Sequence, residues 1–342
     1  MFRIERARDS QYPSQTLAAP QTVPSNSTVR TVLLSLALVA ITFLIYLPCL
    51  HGGRILDDEI MFNALVQSPK GLFYIWCKAM TPDYFPLTFS SLWLEYRFWG
   101  ENMFGYHVTN VTLHAISAVL LWRVLRALKV PGAWLAALLF AVHPVNVESV
   151  AWVSQRKNAL SMPFFLATIL FYVKSKAQDG NGKYYVLSLV SFTLALLAKT
   201  AVVPLPFVLL LIDWWQSKTA FNDDSSVKGS AGASPYRQQL MRVAPYVALA
   251  FIFGLITLWF QKHRVIGVEE VQTSSMAARL ATSGWALWFY LYKTFVPFNL
   301  VFVYPRWEIE PKHLLTWLPL IAFVVIATVI WRWRQRLHAV IF

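Results

Sequence analysis

The chain has 342 residues, of which 57% are hydrophobic and only 14% charged, and its 30 Lys and Arg against 17 Asp and Glu give a net charge of +13. Repeated apolar runs of about twenty residues exclude a soluble globular protein and indicate a polytopic membrane protein. The basic residues cluster at alternate ends of these runs, a pattern that orients membrane helices. They form no folded basic surface with interleaved aromatic residues, so nucleic-acid binding is not expected.

The first hundred residues predict a tail, a membrane span and a long loop. Residues 1–30 are polar and read as a disordered cytoplasmic tail. Thr31–Leu50 contains no charged residue and matches the roughly 30 Å hydrocarbon core of a bilayer. Residues 51–103 are too mixed to cross a membrane and predict the first external loop. Three interfacial helices are predicted in that loop, at Glu59–Val66, Gly71–Met80 and Leu87–Trp99.

The rest of the chain predicts further membrane segments, which makes an all-α bundle of about eight or nine segments. Residues 216–242 are predicted to form a polar cytoplasmic loop. We interpret Trp285–Val303 as re-entrant or interfacial, because that places the C-terminal arginines in the cytoplasm with the N-terminus. The remaining apolar segments are Phe104–Leu128, Ala133–His143, Ala159–Val173, Tyr184–Ala198, Ala201–Trp215, Val243–Phe260 and Leu314–Trp331.

Three consecutive acids, Asp57, Asp58 and Glu59, follow the first span and are the candidate catalytic group. Carboxylates at a membrane surface indicate a functional site, although they could also simply solvate the end of a helix. An ionised Asp can take a proton from a hydroxyl as a general base. Adjacent side chains point in different directions, so we expect only one of the two aspartates to do this chemistry.

Three cations on the same predicted side, Arg156, Lys157 and Lys199, are candidates for binding a phosphate. Arg offers a bidentate fork and Lys a point charge. The alternative for Arg156 and Lys157 is pairing with Glu148 or with lipid headgroups, and for Lys199 an ion pair.

A row of polar residues on the second span, His107, Asn110 and His114, shares one helical face. Hydrogen bonding between helices is the favoured interpretation, with substrate contact as the alternative. Two histidines seven residues apart cannot hold a metal without further ligands, so no metal site is assigned. A role for a divalent cation remains an alternative.

The run from His143 through Pro144 and Glu148 to Arg156-Lys157-Asn158 resembles the signature of bacterial tetratricopeptide-repeat membrane proteins. These are related to the eukaryotic transmembrane and tetratricopeptide-repeat O-mannosyltransferases. The resemblance covers about residues 31–331. Further matching segments are Gly105-Tyr106-His107 through Asn110 and His114, Leu197-Ala198-Lys199-Thr200, Asp213-Trp214-Trp215, and Tyr292-Lys293 through Tyr304-Pro305.

This resemblance implies a C-type (GT-C) membrane glycosyltransferase. Such an enzyme transfers a sugar from a polyprenyl-phosphate donor to a protein or glycan hydroxyl at the external, periplasmic face of the cell membrane. It implies that Asp58 or Asp57 is the base and that Arg156, Lys157 and Lys199 hold the donor phosphate. Substrate-binding or structural roles are expected for Glu59, His107, Asn110, His114, His143, Glu148 and Tyr304. No cofactor is expected.

Two features depart from the family pattern. Phe85 stands where the resembling proteins carry an Arg before Pro-Leu-Thr, and no repeat domain is expected before Phe342. The alternative function is therefore a non-enzymatic membrane protein, either a carrier of lipid-linked sugar or a scaffold, or an inactive fragment of a longer glycosyltransferase.

Overall fold

The computed structural model describes residues 26–78, 81, 83–177, 182–223, 235–265, 275–301, 304–305, 307 and 309–333. Most of the predicted tail therefore lies outside the described residues. Within them every regular element is a helix, which confirms the all-helical prediction. The α-helices are α1 Asn26–Tyr46, α2 Asp58–Met61, α3 Ala64–Gln67, α4 Gly71–Cys77, α5 Pro86–Trp99, α6 Met103–Ala127, α7 Ala133–Val142, α8 Val147–Ala151, α9 Arg156–Ala177, α10 Gly182–Ala198, α11 Leu205–Asp223, α12 Pro235–Phe260, α13 Met276–Phe295 and α14 Leu318–Arg332.

Five of the described segments are long and apolar enough to cross a membrane, which indicates a membrane protein. They are Ser27–His51, Met103–Ala127, Thr200–Ser217, Arg237–His263 and Leu314–Arg332. A sixth would be the pair Ala133–Val142 and Pro144–Ala151, whose two helices meet at 51°. The predicted count of eight or nine segments thus stays a prediction.

The first loop holds four helices where three were predicted. The piece expected at Glu59–Val66 is two short helices, because the Asn63 side chain accepts hydrogen bonds from the Leu65 and Val66 amides and starts α3 anew. The second piece ends at Cys77, and the third begins with Pro86 in the first turn of α5. α5 buries Thr88, Leu92 and Glu95 along one face, toward the helices of the bundle.

The largest apolar core lies where α9 packs against α10, α11 and α12, around residues such as Leu170, Phe192, Leu209 and Tyr246. α9 also packs along α6, and α6 packs against α1 and α7. α9 and α6 are therefore the central helices. The loops that precede these two helices meet at one end of the bundle.

Two predicted segments had the wrong boundaries. Residues 216–242 were predicted to be a loop, but α11 continues to Asp223 and α12 begins at Pro235, because the polar residues near these ends remain compatible with helix. In place of a continuous segment Trp285–Val303, α13 spans Met276–Phe295 and stops just before Pro297, which cannot continue a helix. α13 packs on α14 as a hairpin.

The segment 143–158 is folded into short pieces. Pro144 opens a 3₁₀ turn after the extended His143, and α8 follows it. Trp152 is extended again, a second 3₁₀ turn covers Val153–Gln155, and α9 begins at Arg156. This segment lies against the first loop. Together the two form one end of the bundle, which we call the loop end.

Candidate functional site at the loop end

Arg156 is the centre of the loop end. Its side chain is fully buried, and its guanidinium forms an ion pair with Glu95 of α5, with 2.6 Å between Nη1 and Oε1. Nη2 donates to the Tyr106 carbonyl at 3.0 Å, and Nε donates to Oδ1 of Asn110, so one side chain joins α5, α6 and α9. Because all of its described contacts are internal, Arg156 has no surface left for a phosphate.

The polar row on α6 bonds the backbone of the neighbouring segments. Asn110 donates from Nδ2 to the carbonyls of Val150 and Trp152, at 3.1 and 3.2 Å. His107 Nε2 lies 3.1 Å from the Gly52 carbonyl, and His114 Nε2 lies 3.0 Å from the Ala141 carbonyl. This geometry corresponds to the favoured interpretation, hydrogen bonding between segments.

Asp58 joins the first loop to the segment 143–158. It is 1% exposed, and its Oδ1 accepts from the Ser154 amide at 2.8 Å and from the Ser154 hydroxyl at 2.7 Å. Its Oδ2 accepts from the Ile55 amide at 2.9 Å. These three hydrogen bonds use both oxygens of Asp58 and leave little of the carboxylate for an incoming hydroxyl.

Asp57 differs from both of its acidic neighbours. Its Oδ1 is buried, yet it has no hydrogen-bond partner among the described residues, whereas Glu59 is exposed. A buried carboxylate oxygen without a donor is costly and is unusual in folded proteins. Such an oxygen is suited to accept a hydrogen bond from a bound ligand.

Lys199 lies between α10 and α11, half-buried, and its amine donates to Oδ1 of Asn158. Burial lowers the pKa of the Lys199 amine below its ordinary value, and the positive charge of Lys157 lowers that pKa further. The carboxylates of Asp83 and Glu148 act in the opposite direction. Two cations and two acids thus share this part of the loop end.

A cavity of about 300 Å³ adjoins Lys199 and Asn158. Its other polar walls include His114, Asn146 and Ser149. Its apolar walls include Phe140, Met162, Phe165 and Val202. A cation at the rim of a partly apolar cavity suits an amphipathic ligand with an anionic head.

The remaining predicted residues lie around these groups. Glu148 is exposed and Lys157 half-buried. His143 Nε2 lies 3.0 Å from the Thr294 carbonyl of α13. Tyr304 stands apart, in an aromatic group with Phe289 at 4.9 Å between ring centroids. In the part of the chain that is described, no three His, Cys, Asp or Glu side chains converge as metal ligands.

Sequence reasoning missed Glu95, Ser154 and Asp83. Glu95 had a usable signal, because Thr88, Leu92 and Glu95 recur at helical spacing and so share the buried face of α5. Ser154 and Asp83 had none, since both act through neighbours distant in sequence.

The middle of the chain, which contains part of this site, is similar to a known protein family. Residues 81–222 match the family model of dolichyl-phosphate-mannose-protein mannosyltransferases. That range, less than half of the chain, includes Glu95, Arg156 and Lys199 but not Asp57 or Asp58. No solved structure matches the chain.

Relatives with the name protein O-mannosyl-transferase are similar to parts of the chain. One from Caenorhabditis elegans is 30% identical over 173 residues, which is 46% of this chain and 25% of the relative. TMTC3 of Mus musculus is 40% identical over 100 residues, covering 29% and 11%, and TMTC2 of Mus musculus is 39% identical over 155 residues, covering 41% and 18%. The matched part is thus a quarter or less of each relative. These matches support a relation to the protein O-mannosyltransferases.

The buried ion pair generates a stability prediction. Glu95→Gln keeps the shape of the side chain but leaves the Arg156 charge buried without its counterion. We expect the free energy of unfolding to fall by about 3 to 5 kcal/mol, measured as a lower melting temperature in detergent. The control is Glu101→Gln, since Glu101 pairs with Arg54 but has a side chain 61% exposed, and its loss should cost at most about 1 kcal/mol. Equal losses in the two variants would contradict a special role for Glu95.

Proposed function

We propose that this protein is a membrane glycosyltransferase that transfers a sugar, mannose by analogy with its relatives, from a polyprenyl-phosphate donor to a hydroxyl of a protein or glycan. The observation that carries the proposal is the buried Asp57 Oδ1, which has no hydrogen-bond partner in the described part of the chain. Asp57 lies in a loop that is hydrogen-bonded through Asp58 to the segment containing Lys157 and Asn158. The similarity to protein O-mannosyltransferases supports the reaction class.

Asp57 is the proposed general base. The acceptor hydroxyl donates its hydrogen bond to the free oxygen of Asp57 and attacks the anomeric carbon of the sugar. A new carbon–oxygen bond forms as the bond to the phosphate oxygen breaks, the proton passes to Asp57, and the polyprenyl phosphate leaves with the bonding electrons. Asp58, held by Ser154 and Ile55, is a positioning residue in this scheme.

Lys199 and Lys157 are the proposed phosphate contacts, and Arg156 is left out of that set because it is buried against Glu95. Their positive charges would stabilise the phosphate as negative charge develops on its leaving oxygen. The apolar walls at Phe165 and Val202 suit the first units of a prenyl chain.

The proposal extends to the architecture and orientation of the chain. We propose a GT-C bundle with the loop end on the external side of the cell membrane and the N-terminus in the cytoplasm. The support is the run of basic residues that includes Arg123, Arg126 and Lys129 at the end of α6 opposite the loop end.

Replacement of Asp57 tests the base directly. Asp57→Asn removes the proton acceptor while keeping shape, so kcat should fall by a factor of about 10² to 10⁴ with little change in the donor KM. The measurement is release of polyprenyl phosphate by purified protein given a mannosyl-polyprenyl phosphate and an acceptor peptide. Glu59→Gln, next along the chain and exposed, is the control that should keep full activity.

Two outcomes would overturn this assignment. Full turnover in Asp57→Asn would exclude Asp57 as the base. If Asp58→Asn is then folded but inactive, Asp58 is the base and Asp57 the positioning residue. A wild-type protein that binds the donor without ever releasing polyprenyl phosphate would favour the carrier alternative.

The lowered pKa of Lys199 generates a pH prediction. The phosphodiester of the donor stays ionised, whereas the Lys199 amine loses its charge as the pH rises through a pKa below that of an ordinary lysine. Affinity for the donor should therefore fall in wild type as the pH rises, and the fall should begin below the ordinary lysine pKa of about 10.4. It should stay nearly constant in Lys199→Arg, because arginine remains protonated there. Binding of a labelled donor at each pH measures the affinity of wild type and of Lys199→Arg. An equal fall in affinity in the two proteins would rule out Lys199 as the titrating contact.

A further inference from the structure

A second cavity lies at the end of the bundle opposite the loop end. It is bounded by the start of α1, the end of α6 and the start of α7, and its volume is about 770 Å³. Along α6, Arg126 is nineteen residues beyond His107, which corresponds to about 28 Å. The cavity is therefore separate from the Asp57 and Lys199 groups. We call it the arginine groove.

The charge of the arginine groove is one-sided. Arg30 and Arg126 line it together with the hydroxyl of Thr31, and no Asp or Glu is among its lining residues. Neither arginine forms an ion pair with any described carboxylate. Two guanidinium groups that share a cavity with no counterion among the described residues repel each other, and an anion between them would relieve that repulsion.

Arg126 is held in position toward this groove. Its Nη1 donates to the Thr31 hydroxyl at 3.3 Å, and its guanidinium stacks over the buried Trp122 ring at 5.2 Å from the centroid. Trp134 on the facing helix is fixed by a hydrogen bond of 3.2 Å from its indole to the Leu34 carbonyl. These contacts restrict the Arg126 and Trp134 side chains before a ligand binds, so binding costs less conformational entropy.

An apolar surface continues from the groove along α7. Leu135 lines the groove and is 56% exposed, and Leu139, one turn further toward the middle of the bundle, is 55% exposed. A free phosphate ion would use only the arginines, whereas a phospholipid would use both the arginines and this apolar surface. The position of the groove at the end of two apolar helices fits the headgroup level of a bilayer.

We propose that the arginine groove binds the phosphate of an anionic phospholipid, with an acyl chain lying over Leu135 and Leu139. The lipid would join the start of α1 to the α6–α7 turn. This site does not depend on the proposed glycosyl transfer, because it contains none of the residues assigned to that reaction.

Lipid retention measured by native mass spectrometry tests the proposal. The intact purified protein is titrated with phosphatidylglycerol, with diacylglycerol carrying the same chains, and with inorganic phosphate. We expect one phosphatidylglycerol to bind specifically to wild type, and about tenfold weaker binding when Arg30→Gln and Arg126→Gln are combined. The matched control combines Arg123→Gln and Lys129→Gln, which removes the same charge from exposed positions outside the groove.

A third variant guards against misfolding of the double arginine variant. Leu135→Glu places a negative charge at the mouth of the groove, on an exposed position, and should also abolish specific phosphatidylglycerol binding. Equal loss in the control pair, or retention of diacylglycerol as tight as that of phosphatidylglycerol, would overturn the proposal. Displacement of the lipid by an equal concentration of inorganic phosphate would overturn it too, because the groove would then be a free-phosphate site.

Discussion

The loop end depends on one buried charge, the guanidinium of Arg156. A fully buried cation is tolerated only when a counterion and hydrogen-bond acceptors surround it, because the desolvation penalty is several kcal/mol. Glu95, Asn110 and the Tyr106 carbonyl supply these groups from α5 and α6. α5 therefore packs in one fixed position over α6, although it belongs to the first loop.

This constraint carries over to the groups proposed to react. Arg156 begins α9, so fixing it also fixes Ser154 on one side and Asn158 on the other. Ser154 holds Asp58, and Asn158 accepts the hydrogen bond of Lys199. α5 reaches the same region by a second route, since the Thr88 hydroxyl donates to the Ala198 carbonyl at 2.9 Å. The acids of the first loop and the cations near Lys199 are thus connected through a few short polar contacts.

The sequence predicted the helices well and the roles of single side chains less well. Long uncharged runs such as that of α1 identify a helix without knowledge of its neighbours. The burial of Arg156 could not be predicted, because it depends on Glu95, sixty-one residues away, and an exposed cation would have the same local sequence. The distinction between Asp57 and Asp58 likewise depends on Ser154, which is distant in sequence. The predicted boundaries at Gln216 and Val303 were wrong for local reasons, namely a polar helix end that tolerates helix and the proline at position 297.

Donor photo-crosslinking tests whether the cavity beside Lys199 receives the donor phosphate. A polyprenyl phosphate with a photoreactive group in its first prenyl units is irradiated with the protein, and labelled residues are mapped by mass spectrometry. We expect labels at Met162, Phe165 and Val202 that disappear in Lys199→Ala. Labels confined to the apolar groove between α11 and α14, at residues such as Ile326 and Trp331, or labels unaffected by Lys199→Ala, would contradict it.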